Sequence, residues 1–551
     1  MANLATYIAE AVKQQGCEKV FGIPGKPLVP LISAIEQQGL DFVLARHEGG
    51  AGFMATGYAL QNHTLGVAVG TSGPGGTNLL TAAGQAKAFH APVLFITGHP
   101  PLQDEGKALG QDSSFFGTDL VQLFKPLTKF SARIDDVKLL KSYLQHALQN
   151  ALTGDKGPVH LSIPMDVLMA EVSDVEVPNW EIDDSTISGH LSLVKDKLIE
   201  AKRPLLLLGK GVHIANAYHP VQKFAETWQI PVMTTPGGKG AFLTNHPLSL
   251  GSFGLGGTTA SEAYLKEGVD VMIVVGSKLS DMSTAGLSED LYPKAIIQFD
   301  TDPTFIGKSL PVETLFIKGD ARENLLQLNQ NFQPAQKLSE RDLTKYWLDE
   351  QKLRDTVKNN FERAERLSTA SVMLKLRELL PAETIVFGDD GSHTFYGIKY
   401  FDIVKHGTFY FDDVFGAMGH GLGLAIGAKI AKPQDPIVCL VGDGCLMMHG
   451  MELSTAVDQG ANVLFIVLNN GMLDMVDKGM KRMTGGKSIG VQYAFGIDAT
   501  QFAASLGANS TRCKTLDDLT IAVEQGLSAQ GPTVIEVLTW QDEVPPTLKR
   551  S

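Results

Sequence analysis

Residues Ile437–Leu453 read IVCLVGDGCLMMHGMEL. An apolar run, IVCLV, ends in an aspartate, Asp443, set between Gly442 and Gly444, and a helix-like stretch follows. A continuous apolar run closed by glycine is the pattern of a strand buried on both faces in a parallel sheet. In open parallel sheets ligands gather beyond the carboxyl ends of strands, which is where this reading puts Asp443. A carboxylate buried there without a partner is costly, so a partner is expected elsewhere in the chain.

One stands a helix and a strand later: NVLFIVL, itself a buried-strand pattern, ends in Asn469 and Asn470. That spacing suits a parallel neighbour, with Asp443 and Asn470 side by side. A carboxylate and an amide oxygen are hard ligands that suit Mg²⁺, an ion that keeps few protein ligands and favours phosphate oxygens. Gly442 and Gly444 would let an anion approach the backbone at a helix start. The alternative is that Asp443 only caps that helix.

The 551 residues are too many for one core. With 44% hydrophobic and 19% charged residues the composition is that of a globular protein, and the 57 glycines cluster after apolar runs, an α/β signature. The net charge of −13, with no basic run, argues against nucleic acid and anionic membrane surfaces as partners. Cys17, Cys439, Cys445 and Cys513 have no paired CxxC spacing, which suggests neither zinc nor disulfides. A reducing cytoplasm is expected. The N-terminus lacks a basic start and a long apolar core, and no apolar run reaches membrane-spanning length.

Three α/β segments follow in order. Residues 1–175 contain KVFGI, FVLA, LGVAVG, PVLFITG and PVHLSIP; the polar stretch 171–190 reads as a linker. Residues 190–335 contain RPLLLLGKG, IPVMTT, VDVMIVVGS and KAIIQFDTD, and the charged stretch 340–366 reads as a mainly helical connection. Residues 368–545 contain ETIVFGDDG, GTFYF, IVCLVGDG, NVLFIVLNN and PTVIEVL. The fold class is therefore α/β, with three doubly wound parallel-sheet domains, and the first and third share size and rhythm.

GDG followed at this spacing by NN resembles the thiamine diphosphate binding motif. The whole chain resembles thiamine diphosphate-dependent 2-oxo acid decarboxylases and carboligases, above all the acetolactate (acetohydroxyacid) synthase group. The resemblance implies a pyrimidine-binding, a central and a diphosphate-binding domain in that order. It implies thiamine diphosphate and Mg²⁺ as cofactors, with Asp443, Asn470 and the backbone carbonyl of Met472 on the metal. In RHEGGAGFMATGYA it assigns Glu48 to activation of the cofactor by a hydrogen bond to N1′ of the aminopyrimidine. In FGAMG it assigns Gly416 a carbonyl contact and Met418 a supporting wedge; in GDDGSH it brings Gly391, Ser392 and His393 to the diphosphate. Gly442, Gly444, Cys445 and Met475 complete the cofactor contacts, and Gly25, Phe116, His449 and Val476 are candidates for the substrate pocket. Asn78, in the glycine-rich turn TSGPGGTN, is read as structural, and His99 as either a structural histidine or a substrate contact.

The implied reaction is decarboxylation of a small 2-oxo acid, pyruvate first, and carboligation to a second carbonyl compound. Simple decarboxylation to an aldehyde and a flavin-dependent, pyruvate oxidase-like reaction are the alternatives, and a non-catalytic binding protein is the remaining one. Two departures fall where the acceptor is chosen: Phe115-Phe116 replaces a Phe-Gln pair, and Lys478-Gly479 replaces Gln-Trp. Some relatives hold FAD in the central domain; here SKLSD, with Lys278 and Asp281, lacks their arginines, and FAD is expected to be absent. The family's active sites lie between two chains, which implies a homodimer or homotetramer.

Overall fold

A computed structural model describes residues 3–172, 177, 186–334 and 339–546. Each of three six-stranded sheets is parallel throughout. The first contains β1 (Lys19–Gly22), β2 (Asp41–Leu44), β3 (Gly66–Gly70), β4 (Val93–His99), β5 (Phe130–Arg133) and β6 (Val159–Pro164), in the order β2-β1-β3-β4-β6-β5. The second contains β7 (Pro204–Leu208), β8 (Val232–Thr234), β9 (Ser249–Ser252), β10 (Val271–Val275), β11 (Ala295–Asp300) and β12 (Glu313–Lys318), in the order β12-β11-β10-β7-β8-β9.

A helix, Thr344–Asn359, and a short antiparallel hairpin, β13 (Glu362–Arg363) with β14 (Arg366–Leu367), lead to the third sheet. The connection is helical as expected, with the hairpin at its end. The third sheet contains β15 (Ile385–Gly388), β16 (Phe409–Phe411), β17 (Ile437–Gly442), β18 (Val463–Asn469), β19 (Asn509–Cys513) and β20 (Thr533–Leu538), in the order β16-β15-β17-β18-β20-β19. Most of the stretch read as a linker, 171–190, lies outside the described residues.

Every residue of β4, β6, β7, β10, β17 and β18 is buried, as continuous Val/Ile/Leu runs covered by helices on both faces require. The first and third sheets have the same topology: the chain starts on an inner strand, steps to one edge, then returns past its start. The order reverses between β1 and β3 and between β15 and β17, which opens a crevice at the carboxyl ends of each pair. In the central sheet it reverses between β7 and β10.

The first and third domains meet along two helices, Glu48–Asn62 and His420–Ala431. A Cβ at Gly57 would lie 2.0 Å from the carbonyl oxygen of Leu424, and one at Gly427 would lie 1.9 Å from that of Met54. Only glycine permits this backbone approach. The helix that starts with Glu48 is thus tied to the helix that follows Met418.

Candidate active site

Asp443 stands directly after β17, next to the crevice between β15 and β17. Its carboxylate is buried and accepts the N–H of Gly444 at 3.0 Å and of Gly471 at 2.8 Å. Burial pushes its pKa up to about 6, against the pull of those N–H groups. β18 pairs with β17 in register, Gly442 opposite Leu468, so the turn after β18 arrives beside Asp443. The two asparagines there differ. Asn469 spends its amide N–H groups on Glu536 and on the carbonyl of Ile497, at 2.6 and 3.0 Å. Asn470 lines the same pocket as Asp443 and Met472, and its side-chain oxygen accepts the Met472 N–H at 3.3 Å. One carboxylate, one amide oxygen and one carbonyl form a hard-oxygen set for Mg²⁺. Among the described residues no cluster of three or more His, Cys, Asp or Glu side chains is placed to hold a metal.

The opposite wall comes from the turn after β15. Gly391, at φ +155°, leads into the helix Ser392–Tyr400. The hydroxyls of Ser392 and Tyr396 and Nε2 of His393 are buried, line the pocket and find no hydrogen-bond partner among the described residues. Burial draws the His393 imidazole down to about 4. A Cβ on Gly442 would stand 3.2 Å from Nδ1 of His393, and one on Gly444 would stand 2.8 Å from Leu473 and 3.3 Å from Met418. Three idle polar groups facing glycine-cleared backbone are what a polyanion would complete. The Cys445 thiol donates to the carbonyl of Asp390 at 3.1 Å, and burial holds its pKa far above the ordinary thiol value, which disfavours the thiolate. Met418, Leu473, Met475 and Val476 supply the apolar side.

The segment 412–421 brings Gly416 and Met418 here. Gly416, at φ +70°, lies beside the pocket wall: its missing Cβ would be 3.2 Å from the Asp390 carboxylate.

Glu48 occupies the equivalent crevice of the first sheet. It is 7% exposed, opens the helix Glu48–Asn62, and accepts a hydrogen bond from the Asn78 amide at 2.9 Å. A Cβ on Gly75 would come within 3.3 Å of its carboxylate, and one on Gly25 within 2.2 Å of the Thr71 hydroxyl. Gly25, Thr71, Gly75 and Glu48 therefore form one cluster, from the turns after β1 and β3 and the stretch after β2. Asn78, read from the sequence as structural, is the residue that grips Glu48.

The structure separates other candidates from the Asp443 pocket. Glu48, Gly25 and Phe116 do not line it within one chain. Phe116 is 70% exposed, packed edge to face on Phe115. His449 does not line it either: its ring lies 5.6 Å from that of His47 and 5.1 Å from that of Phe53, in the seam between the first and third domains. Within one chain the helix Asp443–His449 turns the His449 side chain toward the first domain. Burial and the neighbouring His47 draw its pKa down to about 4. His99 is buried between the carbonyl of Pro100 and Arg133.

Family models match three stretches in order: the thiamine pyrophosphate enzyme N-terminal TPP binding domain over residues 2–122, the central domain over 191–328 and the C-terminal TPP binding domain over 389–537. A probable acetolactate synthase large subunit of Methanococcus aeolicus is 30% identical over 97% of this chain and 91% of its own length. The chain belongs to the thiamine pyrophosphate enzymes. Other relatives of this enzyme are the acetolactate synthase large subunit of Corynebacterium glutamicum, 31% identical over 98% of this chain and 87% of its own, and the acetolactate synthase isozyme 2 large subunit of Escherichia coli, 29% identical over 97% and 95%. Its cofactor is thiamine diphosphate, and Ser392, His393, Asp443 and Asn470 of the pocket all fall within the stretch matched by the C-terminal TPP binding domain. The idle Ser392, His393 and Tyr396 groups and the glycine-cleared wall fit a diphosphate there.

Proposed function

We propose that this enzyme carries out thiamine diphosphate- and Mg²⁺-dependent decarboxylation of a small 2-oxo acid, pyruvate first, and joins the remaining fragment to a second carbonyl compound, as an acetolactate synthase does. The observation that carries the reading is the pocket itself: Asp443 and Asn470 on one wall and the unpartnered Ser392, His393 and Tyr396 groups on the other. Similarity over nearly the full length to proteins named acetolactate synthase supports the choice of reaction.

When bound, the cofactor supplies the electron sink that the departing CO₂ requires. The chain holds and shapes it. Asp443, Asn470 and the Met472 carbonyl hold Mg²⁺, and Gly391, Ser392, His393 and the Gly442–Cys445 turn bind the diphosphate. Gly416 offers its carbonyl, while Met418 and Met475 exclude water. Glu48 holds a proton at N1′ of the aminopyrimidine, with Asn78 fixing the carboxylate that does so. Glu48 does not line the pocket of its own chain, which supports a role for it in the pocket of a second copy, in a homodimer or a homotetramer. Gly25, Phe116, His449 and Val476 then bear on substrate choice in the assembled enzyme.

We assign no flavin to the central cleft, since SKLSD there, with Lys278 and Asp281, lacks the arginines of the flavin-holding relatives. A flavin absorption band in the purified protein would contradict this. Among the described residues no helix is long and apolar enough to cross a membrane, and a cytoplasmic location fits the free cysteines.

The test is incubation with pyruvate, thiamine diphosphate and Mg²⁺, alone and with an added aldehyde or 2-oxo acid acceptor, read by mass spectrometry. A branched 2-hydroxy-3-oxo acid with release of CO₂ is expected. Acetaldehyde as the sole product would overturn the ligase reading in favour of a simple decarboxylase.

A further inference from the structure

The segment that delivers Met418 to the pocket is clamped at both ends by buried carboxylates. At its exit Asp389 accepts the N–H groups of Gly419 and Gly421, at 2.8 and 3.0 Å. At its entry Asp412, fully buried, accepts those of Val414 at 3.0 Å and of Phe415 and Gly416 at 2.9 Å. Such an array keeps a carboxylate ionised but does not neutralise it. The neutralising charge comes from the central domain. The Lys210 ammonium lies 3.0 Å from Asp412 and 3.1 Å from the neighbouring Asp413, and also donates to the carbonyl of Ala88 at 2.9 Å. The first domain adds Gln85, whose amide donates to Asp412 at 2.7 Å while its oxygen accepts the Ala417 N–H at 3.2 Å.

One side chain from each of the other two domains therefore meets at the turn between β16 and Met418. Lys210 follows β7 at the central sheet's own switch point, on the wall of a cleft of about 370 Å³ that Asp413 and Val414 also line. The turn runs from that cleft on one side to the cofactor pocket on the other. Gly416 and Gly419 both have positive φ, +70° and +88°, so local backbone preference alone does not hold the turn's shape.

We propose that Lys210 and Gln85 are positioning residues for the cofactor: acting through Asp412, they fix the Gly416–Met418 stretch against the pocket. This rests on thiamine diphosphate binding in the Asp443 pocket. Loss of the Lys210 ammonium leaves two buried carboxylates without a counter-charge, and these carboxylates then turn toward water or take up protons, which loosens the turn. Loss of the Gln85 amide frees the Ala417 N–H without disturbing the charge balance, and so is the milder perturbation.

The full-length protein is the material for the test, with Lys210→Met, Lys210→Arg and Gln85→Met. Three quantities are measured: thermal unfolding of the apoprotein, cofactor affinity with Mg²⁺ present through the fluorescence of the pocket residue Trp540, and the exchange rate of the bound cofactor's C2 proton by quenched NMR. Gln85→Met is expected to unfold near the wild-type temperature yet bind thiamine diphosphate about tenfold more weakly and exchange about tenfold more slowly. Lys210→Met should show a larger loss on both, and Lys210→Arg should recover most of it. Wild-type affinity and exchange in folded Gln85→Met would overturn the proposal. If Lys210→Met does not fold, Gln85→Met and Lys210→Arg decide the matter; a folded Arg variant whose bound cofactor exchanges no faster than thiamine diphosphate free in solution would also overturn it. A wild-type protein that binds no thiamine diphosphate would instead overturn the reading of the pocket, a result distinct from the other two.

Discussion

Asp443 accepts the backbone N–H of Gly471 at 2.8 Å, which locks the turn after β18 onto the end of β17. That bond sets the proposed metal ligands side by side, although the aspartate and the asparagine stand on different strands. Asp443→Ala removes the only carboxylate of the set. The expected outcome is a loss of about a hundredfold or more in thiamine diphosphate affinity at fixed Mg²⁺, measured by fluorescence titration.

Chelation should act in the same place. Gel filtration with EDTA is expected to abolish product formation, and Mg²⁺ with thiamine diphosphate together should restore it. Full activity after exhaustive chelation would remove the metal from the mechanism.

Glu48→Gln keeps the size and one hydrogen-bonding edge of the side chain but loses the ability to hold the proton. A fall in kcat of about 10²–10³ is expected, with cofactor affinity changed by less than about threefold. Asn78→Ala leaves the carboxylate intact but unanchored, and a smaller fall of about tenfold should follow. Steady-state kinetics with parallel cofactor titrations separate the two.

Mixing tests whether sites are shared. If Glu48 serves a partner's pocket, Glu48→Gln and Asp443→Ala chains, each nearly inactive, rebuild one intact site per mixed dimer. Refolding or subunit exchange in equal amounts should return about a quarter of the wild-type activity. No recovery, with mixed dimers shown by native mass spectrometry, would mean that each chain uses its own glutamate.

Lys239 makes a pH-dependent contribution to stability. It is buried, 5.9 Å above the Phe409 ring, and burial lowers its pKa to about 7, with Asp402 and Glu350 opposing that shift and Arg354 adding to it. Between pH 7 and the ordinary lysine value, the unfolded chain binds a proton there that the folded chain lacks, so stability rises with pH across that window. Below pH 7 the folded chain bears the full cost of the buried charge. Lys239→Met should therefore gain more stability over wild type at pH 6 than at pH 9, with the gap narrowing by about 2–3 kcal/mol. Denaturant titrations at the two pH values check this.

The sheets were legible wherever strands are buried on both faces, because burial there demands unbroken apolar runs. Within the three six-stranded sheets, the four strands that such runs do not reveal, β5, β9, β12 and β19, are all edges. Three of them are largely uncovered: no residue of β5 is buried, and only Ile317 of β12 and Cys513 of β19 are. β9, SLGS, is too short and too poor in large apolar residues to register. The site divides in the same way. Asp443, Asn470, Gly391 and His393 sit in short motifs at strand ends, and each motif carries its own signal. Asn78, Asp412, Gln85 and Lys210 are held by contacts between residues far apart in the chain, which leave no local pattern. His449 is close to Asp443 in sequence, but within one chain the helix carries its ring toward His47 and Phe53, which sequence spacing alone does not reveal.

The first and third sheets repeat one strand order, and each offers its crevice with half of the reactive equipment, Glu48 in one and Asp443 in the other. Under the shared-site reading, a chain can be fully folded and hold its cofactor and still be catalytically silent until it meets another. Dilution would then switch the enzyme off at concentrations where nothing has unfolded, so cellular abundance itself becomes a control on flux.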